Sequence, residues 1–149
     1  MGVMSEKQSN RGTRAGADAP LLLVAGQQDE LSEALVPWLS ASLAPCCVRS
    51  VLDGDACVEA VRLQHPWAVL LDHYSDGVSG LETTRRIKQE WPATAVVMLS
   101  LYDAAAYRTE ARQAGASDYV LKSRVAHDLL PCLQALLQSV ASRLSTLST

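Results

Sequence analysis

The chain has 149 residues, 48% of them hydrophobic and 19% charged, with a formal net charge of −3. That balance suits one compact domain around a single core. The mild charge gives no electrostatic footprint for nucleic acid, which wants a basic face, and no apolar run approaches the ~20 residues of a membrane helix.

Residues 1–19 are polar and Gly-containing, with little to bury, and are expected to form a disordered lead. Residues 20–143 are expected to hold the domain, and 144–149, rich in Ser and Thr, a flexible tail. No signal-peptide stretch opens the chain, so a cytoplasmic protein is expected. The cysteines Cys46, Cys47, Cys57 and Cys132 form no C-x-x-C pair and read as small, reduced core residues.

Leu21–Val24 is a short continuous apolar run, as a strand buried on both faces should be. Asp29–Leu43 reads as a helix with Leu31, Leu35, Trp38 and Leu39 on one face and a kinking Pro37 inside. Cys46–Leu52 is a second strand, Asp53-Gly54-Asp55 a turn, and Ala56–Gln64 a short helix. Ala68–Leu71 is the third strand, and Gly80–Trp91 a helix stopped before Pro92. Ala95–Leu99 is the fourth strand, Asp103–Ala114 a helix ended by Gly115, and Asp118–Leu121 the fifth strand. Ala126–Leu144 is the last helix, with an apolar stripe from Leu129 to Val140.

Five apolar strands alternating with five helices imply a doubly wound α/β fold, a parallel sheet in the flavodoxin-like order 2-1-3-4-5. Ligand sites in such sheets lie at the carboxyl ends of the strands, near the switch between strands 1 and 3. Those ends carry Ala25-Gly26, Asp72, Ser100 and Lys122. A carboxylate, a hydroxyl and an ammonium on one rim could take up a phosphoryl group, the carboxylate attacking and the others binding its oxygens.

On these residues the chain resembles the response-regulator receiver family, over roughly Leu21 to Val140. Pro66-Trp67-Ala68-Val69-Leu70-Leu71-Asp72 is similar to the family's third strand with its phosphoacceptor. Gly77 to Glu82 is similar to the loop and helix start that follow, and Ala114 to Lys122 is the most specific match. The resemblance implies that Asp72 is the phosphoacceptor, that Ser100 and Lys122 bind the phosphoryl group, and that Tyr119 is the switch aromatic. It also implies a protein partner on the face of helix 4, strand 5 and helix 5, and a histidine kinase as phosphoryl donor.

The family has two adjacent acids directly after strand 1, where this chain has Ala25 and Gly26. Asp29 and Glu30, at the expected start of helix 1, suit the helix dipole. Mg²⁺ is normally held by one or two carboxylates with phosphate oxygens and water, so only Asp72 remains as an assured ligand and the Mg²⁺ site is expected to be weak or absent. Asp76 stands where the family usually has Pro, and either partly replaces the lost acids or only shapes a turn with Gly77, the reading that Asp-Gly turn chemistry favours. Leu101 replaces a small residue after Ser100 and could crowd the acceptor; His73 and Tyr74 follow Asp72 and are expected to line the pocket, His73 as a polar rim residue.

Two functions stay open. One is a receiver with impaired phosphorylation that acts by binding a protein, or with a small molecule filling the acidless pocket. The other is an ordinary phosphoacceptor. An enzyme is not expected: a phosphatase of the haloacid dehalogenase type wants a second acid two residues after the nucleophile, where Tyr74 stands. Nine residues follow Val140, so no DNA binding is expected of this chain alone. Leu130, Leu137 and Leu144 recur every seven residues, which fits either a homodimer seam or the edge of the core.

Overall fold

The computed structural model describes residues 19–26, 30–75 and 78–148, with the backbone alone for 74–75, 78–79 and 141–148. Residues 1–18, which hold the expected lead, and Asp29, Asp76 and Gly77 lie outside the described residues.

Five parallel strands form the sheet: β1 (Leu21–Ala25), β2 (Cys47–Val51), β3 (Ala68–Asp72), β4 (Ala95–Ser100) and β5 (Asp118–Leu121). Their order is β2-β1-β3-β4-β5, the doubly wound arrangement that the alternation of elements requires. The helices are α1 (Glu30–Ser42), α2 (Gly54–Gln64), α3 (Gly80–Glu90), α4 (Ala105–Ala114) and α5 (Val125–Ser148). Successive strand residues point to opposite faces, so each strand feeds two cores. Leu22, Val24, Ala68, Leu70, Val97 and Leu99 face α1 and α5. Leu23, Ala25, Val69, Leu71 and Val96 face α2 and α3, while Met98 and Tyr119 continue that layer beneath α4.

Most differences from the sequence reading lie at element ends. The expected turn Asp53-Gly54-Asp55 is instead the opening of α2. The Asp53 carboxylate accepts a hydrogen bond from the Ala56 amide at 2.9 Å and so caps the helix it precedes. Asp103 does not open α4. Its carboxylate holds Arg108 at 2.9 Å, and the helix starts at Ala105 without a side-chain cap. The last helix runs on through Ser148, since no Gly or Pro follows Leu144 to end it. A short antiparallel ribbon, Tyr74–Ser75 with Val78–Ser79, was not foreseen, because two-residue strands are too short to carry a period. Leu130 and Leu137 pack against the core beside Leu129 and Leu133, which favours the core-edge reading of that spacing.

All four cysteines are free thiols. Cys46 accepts a hydrogen bond from the Trp67 indole N–H at 3.2 Å. Burial, with the Asp53 charge adding to it, pushes the Cys57 thiol up to about 12. Burial first, and then the Asp118 carboxylate that Cys132 faces at 3.1 Å, pushes the Cys132 thiol to the same value. At pH 8 only about 1 in 10⁴ of either thiol is ionised, so iodoacetamide should modify both roughly a thousandfold more slowly than an ordinary cysteine. Peptide mapping after timed alkylation measures this, and rapid labelling of Cys57 in the folded protein would contradict the packing described.

Candidate functional site at the carboxyl ends of the strands

Parallel register brings the expected residues to one rim. Asp72 closes β3 and lies beside Leu99 of β4; Ser100 closes β4 and lies beside Leu121 of β5; Lys122 follows directly in a short 3₁₀ turn. The Lys122 Nζ donates to Asp72 Oδ2 at 2.6 Å, with both side chains mostly shielded from water, at 17% and 14% exposure. Ser100 is buried, and its Oγ accepts a hydrogen bond from the Tyr102 amide at 3.0 Å.

Two glycines let the backbone close around Asp72. At Gly26 the chain leaves β1 with φ +152°, and a Cβ there would stand 2.8 Å from the Asp72 Cβ. At Gly80 the first turn of α3 rests on the backbone at the end of β3: the Gly80 amide donates to the His73 carbonyl at 2.8 Å, and a Cβ would stand 2.5 Å from the Asp72 carbonyl oxygen. Any larger residue at either place forces the strand end to move. Ala25 points the other way, buried among Leu23, Cys57, Val61, Val69 and Leu71 under α2 and α3.

The remaining pocket residues divide. Leu101 is 72% exposed, its side chain turned largely to solvent. The side chains of Tyr74 and Asp76 lie outside the described residues. His73, expected at the rim, is instead 1% exposed. Strand alternation turns it to the face opposite Asp72, where it lies under α4. Its ring meets Tyr107 edge-on at 5.6 Å, Tyr119 at 6.2 Å and Tyr102 at 6.4 Å. Burial pushes its pKa below the ordinary value, with the Glu110 and Asp72 charges opposing. Tyr102 also stacks on Tyr107 at 4.9 Å. The Tyr119 hydroxyl donates to the Tyr102 carbonyl at 2.7 Å, and the Arg108 guanidinium lies 5.0 Å from the Tyr119 ring centre.

Tyr102 and Tyr107 escaped the sequence reading. The available signal was the concentration of three of the four tyrosines between the ends of β4 and β5. Beyond them, a groove of about 220 Å³ between α4 and β5 is lined by Arg108, Arg112, Asp118 and Tyr119 among others.

The doubly wound sheet thus brings an acid, a hydroxyl and a lysine from successive strand ends to one rim. The family model for the response regulator receiver domain matches residues 22–134, and the chain belongs to that family, the receiver domains of two-component systems. It is 35% identical over 89 residues to the transcriptional regulatory protein DegU of Brevibacillus brevis, covering 60% of this chain and 38% of that one. It is 32% identical over 89 residues to the transcriptional activator protein ExaE of Pseudomonas putida, covering 60% and 42%. The chain thus matches well under half the length of these relatives. Among solved structures it resembles a two-component response regulator of the LuxR family from Aurantimonas sp. SI85-9A1, with a TM-score of 0.74 and 23% identity over 82% of this chain and 87% of that one. It also resembles the BeF3-activated DrrB receiver domain, with a TM-score of 0.68 and 26% identity over 80% and 98%. Among the described residues no helix is long and apolar enough to cross a membrane.

Proposed function

We propose that this receiver acts by protein–protein contact through its α4–β5–α5 face, with Mg²⁺-dependent phosphorylation of Asp72 impaired. The observation that carries the reading is the Asp72–Lys122 ion pair at 2.6 Å with Gly26 packed against the Asp72 side chain. Mg²⁺ prefers carboxylate oxygens and water in a strict octahedral shell. Among the described residues this rim offers one carboxylate, already engaged by an ammonium, and no group of three His, Cys, Asp or Glu that could hold a metal ion. That donor set supports a weak or absent Mg²⁺ site. Without the ion, an anionic acceptor meets an anionic phosphoryl group with a single lysine to offset the repulsion.

A second reading keeps Asp72 as an ordinary phosphoacceptor served by a histidine kinase. It is supported by Asp72, Ser100 and Lys122 sharing one rim and by the names of the relatives. Intact mass after incubation with Mg²⁺ and acetyl phosphate separates the two, with Asp72→Asn as control. The expected result is unchanged mass in both proteins. Gain of one phosphoryl group in the wild type alone would replace the first reading with the second. A homodimer, a kinase and the downstream protein are partners to be tried against the same face.

A further inference from the structure

In the receiver mechanism the switch serine and the switch aromatic respond to the acceptor. Here both are tied to one residue that the resemblance does not single out. The Ser100 hydroxyl accepts from the Tyr102 amide, and the Tyr119 hydroxyl donates to the Tyr102 carbonyl. The Tyr102 ring is itself held: it stacks on Tyr107 of α4 and meets His73, which is 1% exposed and follows Asp72 in the chain. Tyr119 is 8% exposed, edge-on to the same His73 ring and covered by Arg108. Three tyrosine rings, from the β4–α4 loop, α4 and β5, thus gather around the His73 ring that follows β3, with Tyr102 on the outer side. The Asp72 carboxylate makes none of these ring contacts or hydrogen bonds, and acts on the cluster through its charge on the His73 ring.

We propose that Tyr102 is the positioning residue of this receiver: with His73, Tyr107 and Tyr119 it locks α4 and the switch aromatic in one arrangement, whatever the state of Asp72. Aromatic contacts in edge-on and stacked geometry each add to the burial of their rings, and a buried hydroxyl that already has an acceptor resists moving away. A switch needs a second arrangement within a few kcal/mol of the first. Three rings packed on His73, the Tyr102–Tyr107 stack and two hydrogen bonds to the Tyr102 backbone all favour the one arrangement over a second. The α4–β5 surface is then displayed constantly. The inference deepens the proposed function, resting on its choice of the α4–β5–α5 face as the signalling surface.

The test is amide hydrogen exchange and NMR of the full chain in four forms: wild type, Tyr102→Ala, Tyr102→Phe and Asp72→Asn. Tyr102 is 42% exposed, so its variants should fold. Tyr102→Ala is expected to speed exchange in 105–114 about tenfold and to shift the Tyr119 ring signals. Tyr102→Phe should hold both at wild-type values, because stacking and the backbone bonds survive. Asp72→Asn should leave both in place. The inference fails if Asp72→Asn moves α4 and Tyr119 as far as Tyr102→Ala does, if Tyr102→Ala moves neither, or if Tyr102→Phe behaves like Tyr102→Ala. Treatment with Mg²⁺ and acetyl phosphate separates this from the function proposed above. A gain in mass with α4 signals unmoved overturns impaired phosphorylation and supports the lock. A gain in mass with α4 signals displaced overturns both. With no gain in mass, the three variants decide the lock by themselves.

Discussion

Placing an aspartate at Gly26, to return one acid to the end of β1, should destabilise the protein rather than build a Mg²⁺ site. The backbone there has φ +152°, a conformation that side-chain-bearing residues rarely adopt, and holding one in it costs on the order of 1–3 kcal/mol. The new Cβ would also meet the Asp72 Cβ at 2.8 Å, closer than packed carbons approach, so the strand end or the loop has to shift. A second carboxylate would then stand beside the first, and like charges at that distance oppose one another. Urea unfolding should report a lower midpoint at unchanged slope, and the melting temperature should fall by roughly 2–4 °C per kcal/mol in a chain of this size. Ala25→Asp offers no escape, because Ala25 is 4% exposed among apolar side chains and an ionised group there lacks the solvation it needs. A stable Gly26→Asp protein that gains mass with acetyl phosphate only when Mg²⁺ is present would disprove this account of the rim.

The second large effect concerns Lys122. Lys122→Met removes the ammonium and leaves the Asp72 carboxylate, only 14% exposed, in a site shaped around an ion pair. Removing one partner of a shielded pair costs more than removing both, since the remaining charge keeps its desolvation without its counter-charge. The expected loss is about 2 kcal/mol, below the range for fully buried pairs because water still reaches this rim. Asp72→Asn leaves the Lys122 ammonium without its counter-charge, but should cost less because the flexible lysine stem can carry its charge out to water. The double variant Asp72→Asn with Lys122→Met should recover much of the loss seen in Lys122→Met, and a double-mutant cycle measures that coupling. Equal losses for Lys122→Met and for the double variant would mean that the 2.6 Å contact contributes nothing beyond the packing of the lysine stem.

Together these expectations concern a rim on which, among the described residues, Asp72 already has a counter-charge. The negative charge of Asp72 is met by Lys122, Gly26 packs against the Asp72 side chain, and Gly80 packs against its main chain. The response-regulator family explains why these residues share a rim. The particular neighbours explain why the proposed function places the signal in a surface rather than in a phosphoryl group.

Much of this was legible in the sequence by itself. Apolar runs such as Leu21–Val24 and Ala95–Leu99 announce buried strands, the intervening helical periods require a parallel sheet, and the sheet's topology carries Asp72, Ser100 and Lys122 to one edge. These conclusions rest on local periodicity and on chain connectivity, both of which are written along the chain. Only the tertiary structure decided the rest. That Gly26 touches Asp72, that the first turn of α3 rests on the Asp72 carbonyl, and that His73 lies among three tyrosine rings rather than at the rim all depend on contact between distant segments. Such contacts leave no period in the sequence. A histidine after an aspartate reads the same whether it faces water or a helix. Which it faces is set by strand alternation together with the helix that the fold lays over that side of the sheet.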